Sequence, residues 1–164
     1  MEFNKDGSLE PGLHEIDKDE FENLFVKQFS TSQTRQIIYN SLVQWKNQLT
    51  SHYRIYEIWV DGSFVTNKTN PNDVDVVVFV HAQDYMKLAQ NWESVRSANR
   101  IDAYMTLAIC DESKKALEES QYWEFVNNRN YWRGQFGFDR NDLPKGIIVL
   151  KCEQQSTANQ GGVS

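Results

Sequence analysis

Ile55-Tyr56-Glu57-Ile58-Trp59-Val60-Asp61-Gly62-Ser63-Phe64-Val65-Thr66 and, after a short polar loop, Pro71-Asn72-Asp73-Val74-Asp75-Val76-Val77-Val78 decide how this chain is read. The run up to Val60 is rich in β-branched and aromatic residues and ends at a Gly-Ser turn, which predicts a strand over about 54–60. The second run predicts a strand over about 73–80, with Asp73 and Asp75 at its start. Residues i and i+2 of a strand share a face, so both carboxylates are expected to point into one spot opposite Gly62 and Ser63. Two anions held together repel unless a cation lies between them or one takes up a proton. A divalent metal that also holds phosphates meets that need.

The 164 residues, 40% of them hydrophobic, suffice for one domain with a real core. No apolar run approaches the roughly 18–20 residues of a membrane helix, and Met1-Glu2-Phe3-Asn4-Lys5-Asp6 lacks a signal-peptide pattern. Cys110 and Cys152 form no CxxC pair, so reduced thiols and a cytoplasmic location are the expectation. The formal charge of −6 argues against general DNA binding. Residues 1–24 carry eight acidic side chains against Lys5 and Lys18, which accounts for the whole excess. A local basic groove elsewhere therefore stays open.

Residues 4–16, with Asp6-Gly7 and Pro11-Gly12, read as turn-rich and extended over the surface. Asp17 and Glu20 form a capping box that opens a short helix to about Gln28. Ser30-Thr31-Ser32 offers an N-cap for a longer helix whose buried stripe is Ile38, Leu42, Trp45 and Leu49. Tyr85, Leu88, Ala89, Trp92 and Val95 mark a helix over 83–97, with Asp84 where its N-cap is expected. Ile101 to Cys110 reads as a third, central strand with Asp102 near its beginning, followed by a helix from about Ser113 to Asn128. Phe136-Gly137-Phe138 and Gly146-Ile147-Ile148-Val149-Leu150 suggest a hairpin or a final edge strand. One domain over 1–152 is expected, with a disordered polar tail over 153–164. His14, His52 and His81 are scattered without metal spacing and read as structural or solvent-facing.

Gly62-Ser63, nine intervening residues, Asp73-Val74-Asp75, and then Asp102 on another strand resemble the signature of the nucleotidyltransferase superfamily of DNA polymerase β, poly(A) polymerases and minimal nucleotidyltransferases. The wording around Asp61-Gly62-Ser63 and Pro71-Asn72-Asp73-Val74-Asp75, with Phe3 to His14 and Pro144-Lys145-Gly146-Ile147, looks closest to a poorly characterised bacterial and phage branch. The resemblance covers about residues 3–150. It implies an α/β (α+β) nucleotidyltransferase fold, a mixed β-sheet with helices packed against it. Asp73, Asp75 and Asp102 are then the catalytic and metal-binding carboxylates for Mg²⁺ or Mn²⁺, and Asp102 helps to activate the acceptor hydroxyl. Gly62 and Ser63 contact the triphosphate of ATP or another nucleoside triphosphate. Glycine allows close backbone approach to phosphate, and serine adds a hydroxyl and an N–H.

The implied reaction transfers a nucleoside monophosphate to a protein, RNA or small-molecule acceptor and releases pyrophosphate. A cognate partner protein and a toxin–antitoxin or anti-phage setting belong to the same implication. Many active relatives carry Ala-Arg-Gly after Gly-Ser, whereas Phe64-Val65-Thr66 follows here, so the phosphate-contacting arginine is missing from its usual place. Lys68 is the candidate substitute, and Arg129, Arg133, Arg140 and Lys145 are further candidates to line the groove. Trp132 and Phe136, in a stretch read as non-helical, are the aromatics best placed to stack on a base. The alternative is an inactive or weak module of the same fold that binds a partner in an antitoxin-like or regulatory role.

Overall fold

Val74-Asp75-Val76-Val77-Val78-Phe79-Val80-His81 is apolar at almost every position and buried along nearly its whole length. A strand covered on both faces has to be so composed. The computed structural model describes residues 1–108 and 119–152. In chain order its elements are β1 (Gly12–Glu15), α1 (Lys18–Phe25), α2 (Arg35–His52), β2 (Ile55–Asp61), β3 (Val74–His81), α3 (Ala82–Arg96), β4 (Ile101–Ala108), α4 (Glu119–Phe136) and β5 (Gly146–Lys151). The strands form one five-stranded mixed sheet in the order β1-β5-β2-β3-β4. β2 runs antiparallel to both of its neighbours, while β1–β5 and β3–β4 are parallel pairs.

Strand alternation sorts the side chains into two cores. Ile58, Val60, Val74, Val76, Val78 and Ile148 face a cluster completed by Phe21, Phe25, Ile38, Leu42, Trp45, Leu49 and Leu88 of α1, α2 and α3. Trp59, Val77, Phe79, Ile147 and Val149 face the other way and pack on Phe125 and Phe136 of α4. Each large side chain so buried contributes about 1.5–3 kcal/mol. Asp61 and Asp75 follow the phase of Trp59 and Val77, so they stand on the α4 face at one end of the sheet.

The starts of α1 and α2 follow the sequence closely. Asp17 caps α1 by accepting from the Glu20 N–H at 2.8 Å. Of the Ser30-Thr31-Ser32 cluster, Ser32 serves α2, its hydroxyl accepting from the Arg35 N–H at 3.1 Å. The expected stripe Ile38, Leu42, Trp45 and Leu49 is buried. α1 itself stops at Phe25, and a single 3₁₀ turn over Lys27–Phe29 follows.

Other expectations need correction. The stretch 4–16 does not simply run over the surface: an Asn4-anchored turn is followed by β1, which pairs with β5. β4, expected to be central, is an edge strand, and Phe138 pairs with Pro144 in a short antiparallel bridge where a hairpin is expected. β5 is not an edge strand but lies between β1 and β2. Its unbroken apolar run is what a strand covered on both faces needs. The helix expected to end at Asn128 continues to Phe136, so Trp132 and Phe136 are helical. Their rings pack one turn apart with centroids at 5.4 Å, and Phe136 joins the core. The expected start of that helix near Ser113, the end of the third strand at Ile109-Cys110 and the tail 153–164 lie outside the described residues. No helix among the described residues is long and apolar enough to cross a membrane.

Candidate functional site

β2 ends at Asp61, whose register partner on β3 is Asp75. Asp75 is in turn the partner of Asp102 on β4. Adjacent strands lie about 4.8 Å apart, so the three carboxylates form a row across three strands on one face. Asp73 sits just before β3, exposed, in the wall of the same cleft as Asp61 and Asp75. Crowding sets the electrostatics. Burial first, then the charges of Asp61, Asp73 and Asp102, push the Asp75 carboxyl up to about 6, with Lys145 pulling the other way. Burial also raises Asp61, against the opposing Lys145 ammonium and the Gly62 N–H.

Gly62 makes the turn possible. Its φ of 79° lies in the left-handed region, and a Cβ there would run into the Asp75 carboxylate. Ser63–Val65 then forms one 3₁₀ turn. The loop beyond is held from behind by Arg35, fully buried, which donates to the carbonyls of Phe25, Phe64, Thr66 and Lys68 at 2.6–2.8 Å. Its guanidinium also lies over the Phe29 ring, 3.7 Å from the centroid. Burial lowers this group to about 10, so it stays cationic at neutral pH. The cleft in front has a volume of about 570 Å³ and is walled by the acids, Gly62, Ser63, the Asp6–Ser8 turn, Lys68, Arg140 and Lys145. Lys145 Nζ donates to Asp61 Oδ1, both side chains nearly buried.

A family model described as a family of unknown function matches residues 1–151. The chain belongs to the DUF6932 family. No curated protein and no solved structure matches it.

In this DUF6932 chain, Gly62, Ser63, Lys68, Asp73 and Asp75 meet at one cleft. Asp73 does so from the loop rather than from the strand, since β3 begins at Val74. Asp102 stands beside Asp75 by register but is not a cleft wall; its Oδ2 accepts from the Tyr104 hydroxyl at 2.9 Å. Of the four late cations, Arg140 and Lys145 reach the cleft. Arg129 does not: it pairs with buried Glu57, which also accepts from Lys151 at 2.6 Å and from the Trp59 indole N–H at 2.9 Å. Arg133 is exposed on α4. Asp84 lies inside the first turn of α3 rather than at its N-cap, and binds Arg54 at 3.1 Å.

Asp61, the Lys145 contact and Tyr104 escaped the sequence reading. For Asp61 a signal exists, because strict alternation from Trp59 puts it on the same face as Asp75. As placed, no three His, Cys, Asp or Glu side chains among the described residues stand close enough to share one cation. The donor set nonetheless suits one: Asp61, Asp73, Asp75 and Asp102 are hard oxygen donors, and among the described residues Lys145 is the cation that pairs with them.

Proposed function

We propose that the protein is a nucleotidyltransferase that takes a nucleoside monophosphate from a nucleoside triphosphate, ATP or another, and passes it to an acceptor hydroxyl. The observation that carries this reading is the register row Asp61–Asp75–Asp102 beside Asp73, at a cleft that Lys68, Arg140 and Lys145 also line. Asp73, Asp75 and Asp102 would hold a divalent cation, Mg²⁺ or Mn²⁺, which when bound would neutralise phosphate charge. Phosphoryl chemistry depends mainly on positioning and on charge stabilisation. Gly62 lets the backbone approach the phosphate oxygens, and Ser63 offers its hydroxyl. Lys68 and Arg140 supply positive charge in place of the arginine missing directly after Ser63, and Lys145 offsets Asp61. Asp102, at the other end of the row from the Lys145–Asp61 pair, is the group that takes the acceptor proton. A protein or RNA acceptor, a partner protein, a toxin–antitoxin or anti-phage role and a cytoplasmic location belong to this proposal.

The test is incubation of the full chain with Mg²⁺, cell extract and nucleoside triphosphates labelled at the α-phosphate. Label should appear on a protein or RNA acceptor and vanish with Asp73→Ala/Asp75→Ala. Equal labelling by the double variant would sink the assignment. Absence both of label and of thermal stabilisation by Mg²⁺ with ATP would favour the partner-binding module instead.

A further inference from the structure

Tyr104 lies two residues beyond Asp102 on β4, on the same face. Its hydroxyl turns back along the strand to donate to Asp102 Oδ2 at 2.9 Å. The ring packs on Trp132 of α4 with centroids 5.1 Å apart, yet the residue stays 37% exposed. A tyrosine on a half-open surface ordinarily leaves its hydroxyl in water. A bond between residues i and i+2 of one strand joins no two elements, so it adds nothing to the tertiary structure. What it does is hold a hydroxyl oxygen within proton-transfer reach of a carboxylate, roughly 2.6–3.2 Å, with the ring fixed by Trp132. That is the arrangement of a nucleophile and its base. The carboxylate is the one in register with Asp75, at the other end of the row from Asp61 and its partner Lys145.

We propose that Tyr104 is a site of self-nucleotidylation, its phenolic oxygen accepting a nucleoside monophosphate from the triphosphate held at the acids of the same chain. The inference rests on the nucleotidyltransferase reading. A bond forms between Tyr104 Oη and the α-phosphorus, and the bond from that phosphorus to the oxygen bridging to the β-phosphate breaks. Pyrophosphate leaves with the electron pair, and the phenolic proton passes to Asp102. The product is an aryl phosphodiester on β4. It removes the hydrogen bond to Asp102 and fills the acceptor side of the row, so the modified chain would serve other acceptors more slowly.

The experiment is intact-mass spectrometry and peptide mapping of the full chain after incubation with Mg²⁺ and each of the four nucleoside triphosphates, with labelled transfer to cell extract run in parallel. The chain should gain the mass of one nucleoside monophosphate, mapped to Tyr104. A fraction of the chain purified from expressing cells should already carry it. The adduct should be lost in Tyr104→Phe and kept in Tyr131→Phe, a tyrosine 58% exposed on α4. Mapping on the unaltered chain decides the site without reliance on either variant. An adduct on another residue, or an unmodified chain while an extract acceptor is labelled, overturns the proposal and leaves the nucleotidyltransferase reading standing. No transfer to chain or extract overturns both.

Discussion

Replacing Asp75 by asparagine should stabilise the metal-free protein above neutral pH while destroying the site. The Asp75 carboxyl is pushed from 3.8 to about 6 by burial and by the three neighbouring carboxylates. At about 1.4 kcal/mol for each pH unit, that displacement is worth roughly 3 kcal/mol. Asp75 keeps partial access to solvent, and screening reduces the figure to about 1–2 kcal/mol. The sign follows from which state ionises first. Below the unfolded value both states are protonated and the native state carries no penalty. As pH rises, the unfolded chain ionises first, and stability is lost until the folded carboxyl also ionises near 6. An amide cannot ionise, so Asp75→Asn escapes this loss. Urea unfolding with a chelator present, at pH 8 and at pH 4.5, measures it. The variant should exceed the parent by about 1–2 kcal/mol at pH 8 and by roughly a third of that at pH 4.5. Added Mg²⁺ should raise the parent and not the variant. A difference that does not depend on pH, or a variant less stable at pH 8, would refute the crowding argument.

Three further outcomes are expected. Arg35→Lys should cost about 2–4 kcal/mol in urea unfolding, because a single ammonium cannot satisfy the carbonyls of Phe25, Phe64, Thr66 and Lys68 together. Gly62→Ala should lower thermal stability by about 1–3 kcal/mol for its positive φ and reduce labelled transfer at least about tenfold, since the new methyl displaces Asp75. Burial alone would raise Glu57, but hydrogen bonds from Lys151 and Arg129 hold it below the usual carboxylate range. Its contribution is therefore present at neutral pH and fades as pH falls through the lowered value. Arg129→Ala should cost about 3 kcal/mol at pH 7 and move acid unfolding, followed by circular dichroism, to higher pH.

Local patterns carried much of this molecule. The capping box at Asp17, the stripe on α2 and the Val-rich β3 each declare themselves within a few residues, because period and cap chemistry are local. Gly62 and the acids at 73 and 75 were legible for the same reason. Three things were not. α4 carries aromatics on both its buried and its exposed sides, Phe125 and Phe136 against Trp123 and Tyr131, so periodicity does not mark its extent beyond Asn128. The place of β5 in the sheet depends on pairing with residues more than eighty positions away, about which the run 146–150 says only that both its faces are covered. Lys145 meets Asp61 across a separation of 84 residues, and no spacing rule links a lysine before one strand to an acid at the end of another.

The position of β5 bears on how the chain is made. It inserts between β1 and β2, so the first strand has no partner until the last of the described strands has been synthesised. Such long-range closure is slow and leaves strand edges open in the meantime. The same segment delivers Lys145, the ammonium that offsets Asp61. A chain still emerging from the ribosome would hold its acids without that counter-ion, so assembly of the sheet and maturation of the cleft become a single late event. A chain stopped before Lys145 would lose both together.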